Sequence, residues 1–212
     1  MAAVMTFASL TSDLQNYPER ADATYVANIP RFIMQAENRI AAEARGLGFV
    51  ITLTASLVVG QQQLAKPARW RETVSFNIGI GTGNSQRKFL LQRPYELLRV
   101  YAPDPTANKE PKYYADWDYY NWLIAPTPDF AYPFEVIVHQ RPQPLDVANQ
   151  TNWTTEFAPQ LLLSACLLEA QSFLKRDDRI QVYQEQYDRA LKQVAFEQKR
   201  RLADRTQAVQ GA

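Results

Sequence analysis

A chain of 212 residues, 46% apolar and 12% aromatic, is long enough for one generous domain or two small ones and rich enough to bury a core. Its 23 basic and 22 acidic side chains nearly cancel, which excludes a global field drawing it onto nucleic acid or an anionic membrane. The single cysteine, Cys166, excludes an internal disulfide, and no apolar run approaches the roughly 20 residues of a bilayer span. With no signal-peptide pattern at the start, these features predict a soluble protein made inside the cell, so that Asn149 to Thr151 and Asn152 to Thr154 match the glycosylation pattern by spelling alone.

In chain order, Thr6 predicts the N-cap of a short helix that carries Phe7, Leu10, Leu14 and Tyr17 at helical spacing up to Pro18. From about Thr24 to Leu47 a second helix places Ile29, Ile33, Ala36, Ile40 and Ala44 on one stripe. It accepts Pro30 in a first turn or at a kink and closes at Gly46 and Gly48. At Phe49 the period changes, because "VITLTASLVV" is β-branched and alternating until Gly60 ends it. "WRETVSFNIGI" and "RKFLL" predict a hairpin around "GIGTGN", although Trp70, Glu72, Val74 and Phe76 alternate imperfectly. "PYELLRVY", Pro94 to Tyr101, reads as a short helix with Leu97, Leu98 and Tyr101 on one side.

Lys109 to Val138 holds nine aromatic residues in thirty. It reads as a β-meander: Lys112 to Asp116, a turn at Trp117 and Asp118, Tyr119 to Ala125, a "PTPD" corner, then Phe134 to Gln140. Alternation assigns Tyr114, Tyr120, Trp122 and Ile124 to one face and Tyr113, Tyr119 and Leu123 to the other, so both faces need cover. Beyond the polar, proline-bearing stretch Arg141 to Asn152, Thr154 or Thr155 caps a helix with Pro159 in its first turn. Leu161 to Leu174 is apolar almost all round, "KRDD" breaks it, and Ile180, Tyr183, Tyr187, Leu191 and Val194 stripe a final long helix against it. From Phe196 the stripe is lost, leaving no reason for the tail to fold alone.

The expected fold class is therefore α+β, a helical bundle with an inserted antiparallel β domain. Residues 1–48 supply its N-terminal helices, 49–141 the insertion with one short helix, 142–195 the two long C-terminal helices, and 196–212 an arm ordered on docking.

The inventory offers little catalytic chemistry. His139, the only histidine, has no cysteine beside it, so a transition-metal site or a histidine triad is disfavoured, and no cofactor or metal is expected. Gly79, Gly81 and Gly83 lack phosphate-loop spacing and join strand to strand, which favours a hairpin turn. Cys166 in its apolar run reads as an inert core thiol. Asp116 and Asp118 around Trp117 are conceivable as a glycosidase pair but read better as a polar turn. Asp177 and Asp178 after Lys175 and Arg176 suit a helix end followed by a helix start. The aromatics admit three uses: core plus subunit interface, a carbohydrate platform, or stacking of single strands across 113–124. The last needs more interleaved cations than Lys109 and Lys112 provide.

The stretch "PKYYADWDYYNWLIAPTPDFAYPFEVIVHQRPQPL" followed by "NQTNWTTEFAPQLLLSACLLEAQSFL" resembles the head-to-tail adaptor (connector) proteins of tailed bacteriophages. "MTFASLTSDLQNYPERAD", "IPRFIMQAENRIAAEARGLG" and "LAKPARWRETVSFNI" are similar to the same family, so the likeness covers nearly the whole chain. The resemblance implies a structural virion protein with no enzymatic role, assembled in the host cytoplasm. Such proteins form a homo-oligomeric ring, a dodecamer set by the roughly twelvefold portal. The ring lies between the portal and a downstream tail or nozzle protein and passes genomic DNA non-specifically through its channel, with no membrane involved. On that footing Lys192, Lys199, Arg200, Arg201 and Arg205 are the expected portal contacts. Tyr113, Trp117, Tyr119 and Trp122 are the expected subunit or tail interface.

Overall fold

The computed structural model describes residues 4–44, 49–174 and 179–210, the side chains of 201–210 excepted. Gly46, Gly48 and the "KRDD" break at 175–178 lie outside the described residues. The chain divides into two compact units, Met1–Phe49 with Pro142–Ala212, and Val50–Arg141.

In the helical unit, Thr6 and Ser9 cap α1 (Phe7–Asn16) reciprocally. The Ser9 N–H donates to Thr6 Oγ1 at 3.1 Å and the Thr6 N–H to Ser9 Oγ at 2.9 Å. Asp22 caps α2 (Ala23–Glu43), whose Ile29, Ile33, Ala36 and Ile40 are fully buried. Pro30 lies inside α2 past the first turn, so the helix forgoes one ladder bond there.

The next helical segment is split into α4 (Trp153–Phe157) and α5 (Pro159–Leu174), the short α3 (Tyr95–Tyr101) belonging to the other unit. Its cap is Asn152, earlier than expected: Asn152 Oδ1 accepts from the Thr154 N–H at 3.0 Å, and Thr155 Oγ1 accepts from the Asn152 N–H at 2.9 Å. Asparagine is among the strongest N-caps, and Thr154 and Thr155 are themselves helical and buried. Pro159 disfavours helical geometry at Ala158 and restarts the helix as α5.

The long α6 (Ile180–Gln210) buries Tyr183, Tyr187 and Ala190, with Ile180, Leu191 and Val194 half-buried against the same core as Leu10, Leu14, Leu161, Leu162 and Cys166. Polar ties join these helices: Arg39 of α2 pairs with Glu169 of α5 at 2.6 Å, and Tyr187 of α6 donates to Glu43 of α2 at 2.7 Å. The tail does not lose structure at Phe196. The helix runs on through Gln210, because extending an existing helix costs far less than starting one and the sequence is rich in helix formers.

The β unit contains β1 (Val50–Ser56), β2 (Gln63–Ala65), β3 (Trp70–Ile80), β4 (Gln86–Phe89), β5 (Leu91–Gln92), α3 (Tyr95–Tyr101), β6 (Tyr113–Asp116), β7 (Asn121–Ala125) and β8 (Pro133–Gln140). They form two four-stranded sheets, β1-β8-β3-β4 and β2-β7-β6-β5. The first is antiparallel throughout, and the second is mixed through the short parallel pair β5–β6. The expected three-strand meander is thus corrected. β6 and β7 pair, but β8 leaves them and enters the other sheet between β1 and β3. Pro126 and Pro128, lacking N–H groups, end the ladder after β7.

Register shifts between Trp70 and Glu72 and between Thr73 and Ser75 explain the imperfect alternation of β3 and leave Val74 exposed. One apolar cluster centres on Phe76, whose ring lies 5.4 Å from Tyr114, 5.6 Å from Trp122 and 5.4 Å from Phe134. A second, smaller cluster of Leu98, Ala115, Leu123 and Ala125 covers the other face of β6 and β7. Within α3 only Leu98 is buried, and Leu97 and Tyr101 remain exposed.

Candidate interaction surfaces

The aromatic stretch of the β unit divides at the turn between β6 and β7. Asp118 Oδ1 accepts from the N–H groups of Tyr120 and Asn121, both at 2.6 Å, and the Asn121 side-chain amide closes on the same carboxylate. These bonds, the Asn121 side chain foremost, hold the Asp118 carboxyl below its usual range. Lys66, its side chain almost wholly buried, fastens the turn from below. Its Nζ lies 3.1 Å from Asp116 Oδ1, donates to the Asp118 carbonyl at 2.6 Å and sits 3.6 Å from the centre of the Trp70 ring.

On this frame Tyr119 meets Trp70 edge-on at 6.3 Å and Tyr120 at 5.7 Å. Trp117, Tyr119 and Tyr120 are 39%, 64% and 74% exposed. The turn therefore presents a firmly held aromatic tip, the composition found at the centre of protein interfaces. Both acids hold the turn, Asp116 through Lys66 and Gln92 and Asp118 through its amides.

Of the expected interface residues, Trp117 and Tyr119 lie on this tip. Tyr113 is half-buried against the smaller cluster, edge-on to Tyr101 at 4.9 Å. Trp122 is corrected to core: it is 1% exposed, and its Nε1–H donates to Thr73 Oγ1 at 2.9 Å. Tyr120, expected on the Trp122 face, is exposed instead, because Asp118 draws the N–H groups of Tyr120 and Asn121 into the turn and delays the strand to Asn121. An aspartate three residues before an asparagine was the available signal.

The second surface lies on α6. Lys192, Lys199 and Arg200 are exposed, as is Phe196 at 65%, and Arg201 and Arg205 belong to the same helix with side chains outside the described residues. Past Val194, no described side chain of α6 joins the apolar core, so helix propensity carries much of the stability of this part of the helix.

The remaining candidates have structural roles. Gly81 and Gly83, with φ of +79° and +67°, turn the β3–β4 hairpin. Cys166 is fully buried, which pushes its thiol well above its usual pKa and leaves it unreactive. His139 stands in β8 opposite Val50. Among the described residues, no group of three or more His, Cys, Asp or Glu is placed to hold a metal, and no helix is long and apolar enough to cross a membrane.

The helical unit thus exposes Lys192, Lys199 and Arg200 along α6, and the β unit exposes an aromatic tip. The profile of the SU10 adaptor protein family matches residues 5–210, nearly the whole chain, and the chain belongs to that family. This family of phage head-to-tail adaptors is structural, which makes the chain a component of the phage particle at the head–tail junction. No curated protein matches the chain.

Proposed function

We propose that the chain assembles into a ring of about twelve copies between the portal and the next tail protein, its channel passing the genome without gripping it. The near balance of charge supports the channel, since a strongly basic lumen would hold phosphates. The observation that carries the reading is the run of α6 past Val194, where Phe196 stands between the exposed cations Lys192, Lys199 and Arg200 with no core of its own to join. In this reading that helix, continued through Arg201 and Arg205, lies in an acidic-rimmed groove of the portal. Trp117, Tyr119 and the flank of Tyr113 meet a neighbouring subunit or the tail protein. Domain limits at about 49 and 141 and an arm from 196 serve the same division of labour.

Deleting the residues after Phe196 tests this. The shortened chain is expected to lose only the helical dichroism of the removed part of α6 and to keep its melting temperature, because its core ends at Val194, and to lose capture by portal rings in negative-stain images. Undiminished stacking on the portal overturns the α6 assignment.

A further inference from the structure

The sheet β1-β8-β3-β4 has two open edges; that of β1 lacks the charges, prolines and bulges that guard an edge, whereas β4 is short and carries Arg87 and Lys88. β1 is seven residues long, Val50-Ile-Thr-Leu-Thr-Ala-Ser56, with no charge, no proline and no register shift against β8. The Leu57 N–H donates to the Tyr132 carbonyl, so Ala55, Leu53 and Ile51 turn their backbone groups toward β8. Val50, Thr52, Thr54 and Ser56 therefore turn theirs outward, and from Thr54 to Ser56 the edge is exposed. At the other edge the Leu90 N–H donates to the Phe76 carbonyl. Lys88 and Gln86 then face β3, while Arg87 and Phe89 face outward and are exposed.

We infer that β1 of one copy pairs with β4 of the next, continuing the sheet from subunit to subunit. The pairing presupposes the ring proposed above and gives its contact a mechanism. Three features select β4 of a second copy over other strands. Four alternating strands make β1 and β4 of one sheet run in opposite directions, so a copy set alongside presents β4 antiparallel to β1 without inversion. The contact joins two different edges, as a ring requires. The registered pairs Thr54–Glu135, Asn77–Glu135 and Asn77–Phe89 also put Thr54 and Phe89 on one face of the sheet. Continuation thus brings the exposed ring of Phe89 beside the β-branched Thr52 and Thr54, a favourable cross-strand combination.

The test measures self-association of the full chain by sedimentation velocity, alone and in the presence of portal rings. Thr54→Lys and Thr54→Pro each act where no ladder bond within the fold is lost. Both are expected to keep the wild-type spectrum and to weaken self-association by at least about tenfold. Phe89→Glu is expected to do the same, and the double variant Thr54→Lys with Phe89→Glu to restore assembly. Restoration requires Thr54 to face Phe89; a twofold β1–β1 contact would set lysine against lysine and stay broken.

In the wild-type assembly the amides of Thr52, Thr54, Arg87 and Phe89 should gain exchange protection together. Protection of Thr52 and Thr54 alone, failure of the double variant to restore assembly, wild-type assembly by both Thr54 variants, or a wild-type chain monomeric in both conditions would each overturn the pairing. Portal capture by single copies is read separately. If Thr54→Lys is still captured, the portal contact stands apart from the sheet contact. If wild-type rings form that ignore the portal, the pairing stands and the adaptor docking fails.

Discussion

In the helical unit the fully buried side chains are mostly aliphatic, Leu10, Leu14, Ile29, Ile33, Ile40 and Leu162 among them. Two of its buried tyrosines send their hydroxyls to fixed acceptors, Tyr25 to the Leu14 carbonyl at 2.8 Å and Tyr187 to Glu43. The β unit is built around rings instead, Phe76 against Tyr114, Trp122 and Phe134, and it shows further rings at its surface in Trp117, Tyr119 and Tyr120. The difference shows that aromatic content has two meanings in one segment. Trp122 and Tyr120 are two residues apart, yet one is core and the other is nearly free of the fold.

The largest effect that would break this comparison is at Trp122. Replacing it with alanine empties the space beside Phe76 and removes a donor from Thr73, so the β unit should lose about 3–5 kcal/mol in urea unfolding followed by near-UV dichroism. A loss under about 1 kcal/mol would mean that Trp122 is a surface residue and that the core lies elsewhere.

Much of this was legible in the sequence where one periodicity acts locally. Thr6 announces α1, the alternating β-branched run after Phe49 sits where β1 begins, and the stripe Tyr183, Tyr187, Leu191, Val194 marks the packed face of α6. What was not legible depends on pairing at a distance. β2 and β5 are too short to alternate, and nothing local tells β8 to join β1 and β3 rather than β7. The surface was half legible: composition located the aromatic segment, but only the Asp118 turn decides that Tyr119 and Tyr120 precede the strand while Trp122 lies within it.

A smaller effect sharpens the helical side. Glu37 of α2 accepts from the Leu145 N–H at 3.2 and 3.3 Å and from Asn152 Nδ2 at 2.7 Å, tying the stretch before α4 to the core. Burial raises its carboxyl above the ordinary glutamate value, with the two hydrogen-bond donors pulling the other way and Asp146 adding to the rise. The folded state therefore holds this proton more tightly than the unfolded chain. The stability it contributes is complete below the ordinary glutamate pKa and is lost as pH rises through the higher folded value. Melting followed at 222 nm across that interval should show stability falling with rising pH, and Glu37→Gln should flatten the slope. Parallel slopes for the two proteins would show that Glu37 is not the group responsible.

The smallest effect on stability is expected at the tip. Tyr119 touches Trp70 and Tyr120 through ring edges but the two tyrosines bury little else, and the turn beneath them is held by Asp118, Asn121 and Lys66, which alanine substitutions leave untouched. Changing both tyrosines to alanine should alter unfolding by no more than about 1 kcal/mol, well below the Trp122 effect. If the tip docks against a protein, the same change should weaken that contact by 2 kcal/mol or more, about thirtyfold in affinity, since exposed tyrosines at the centre of an interface carry much of its energy. Measuring both quantities on one variant separates the roles: a large stability loss would make the tip part of the core. An unchanged affinity for neighbouring copies and for the tail protein would leave the aromatic tip without a partner and return the interface to the sheet edges.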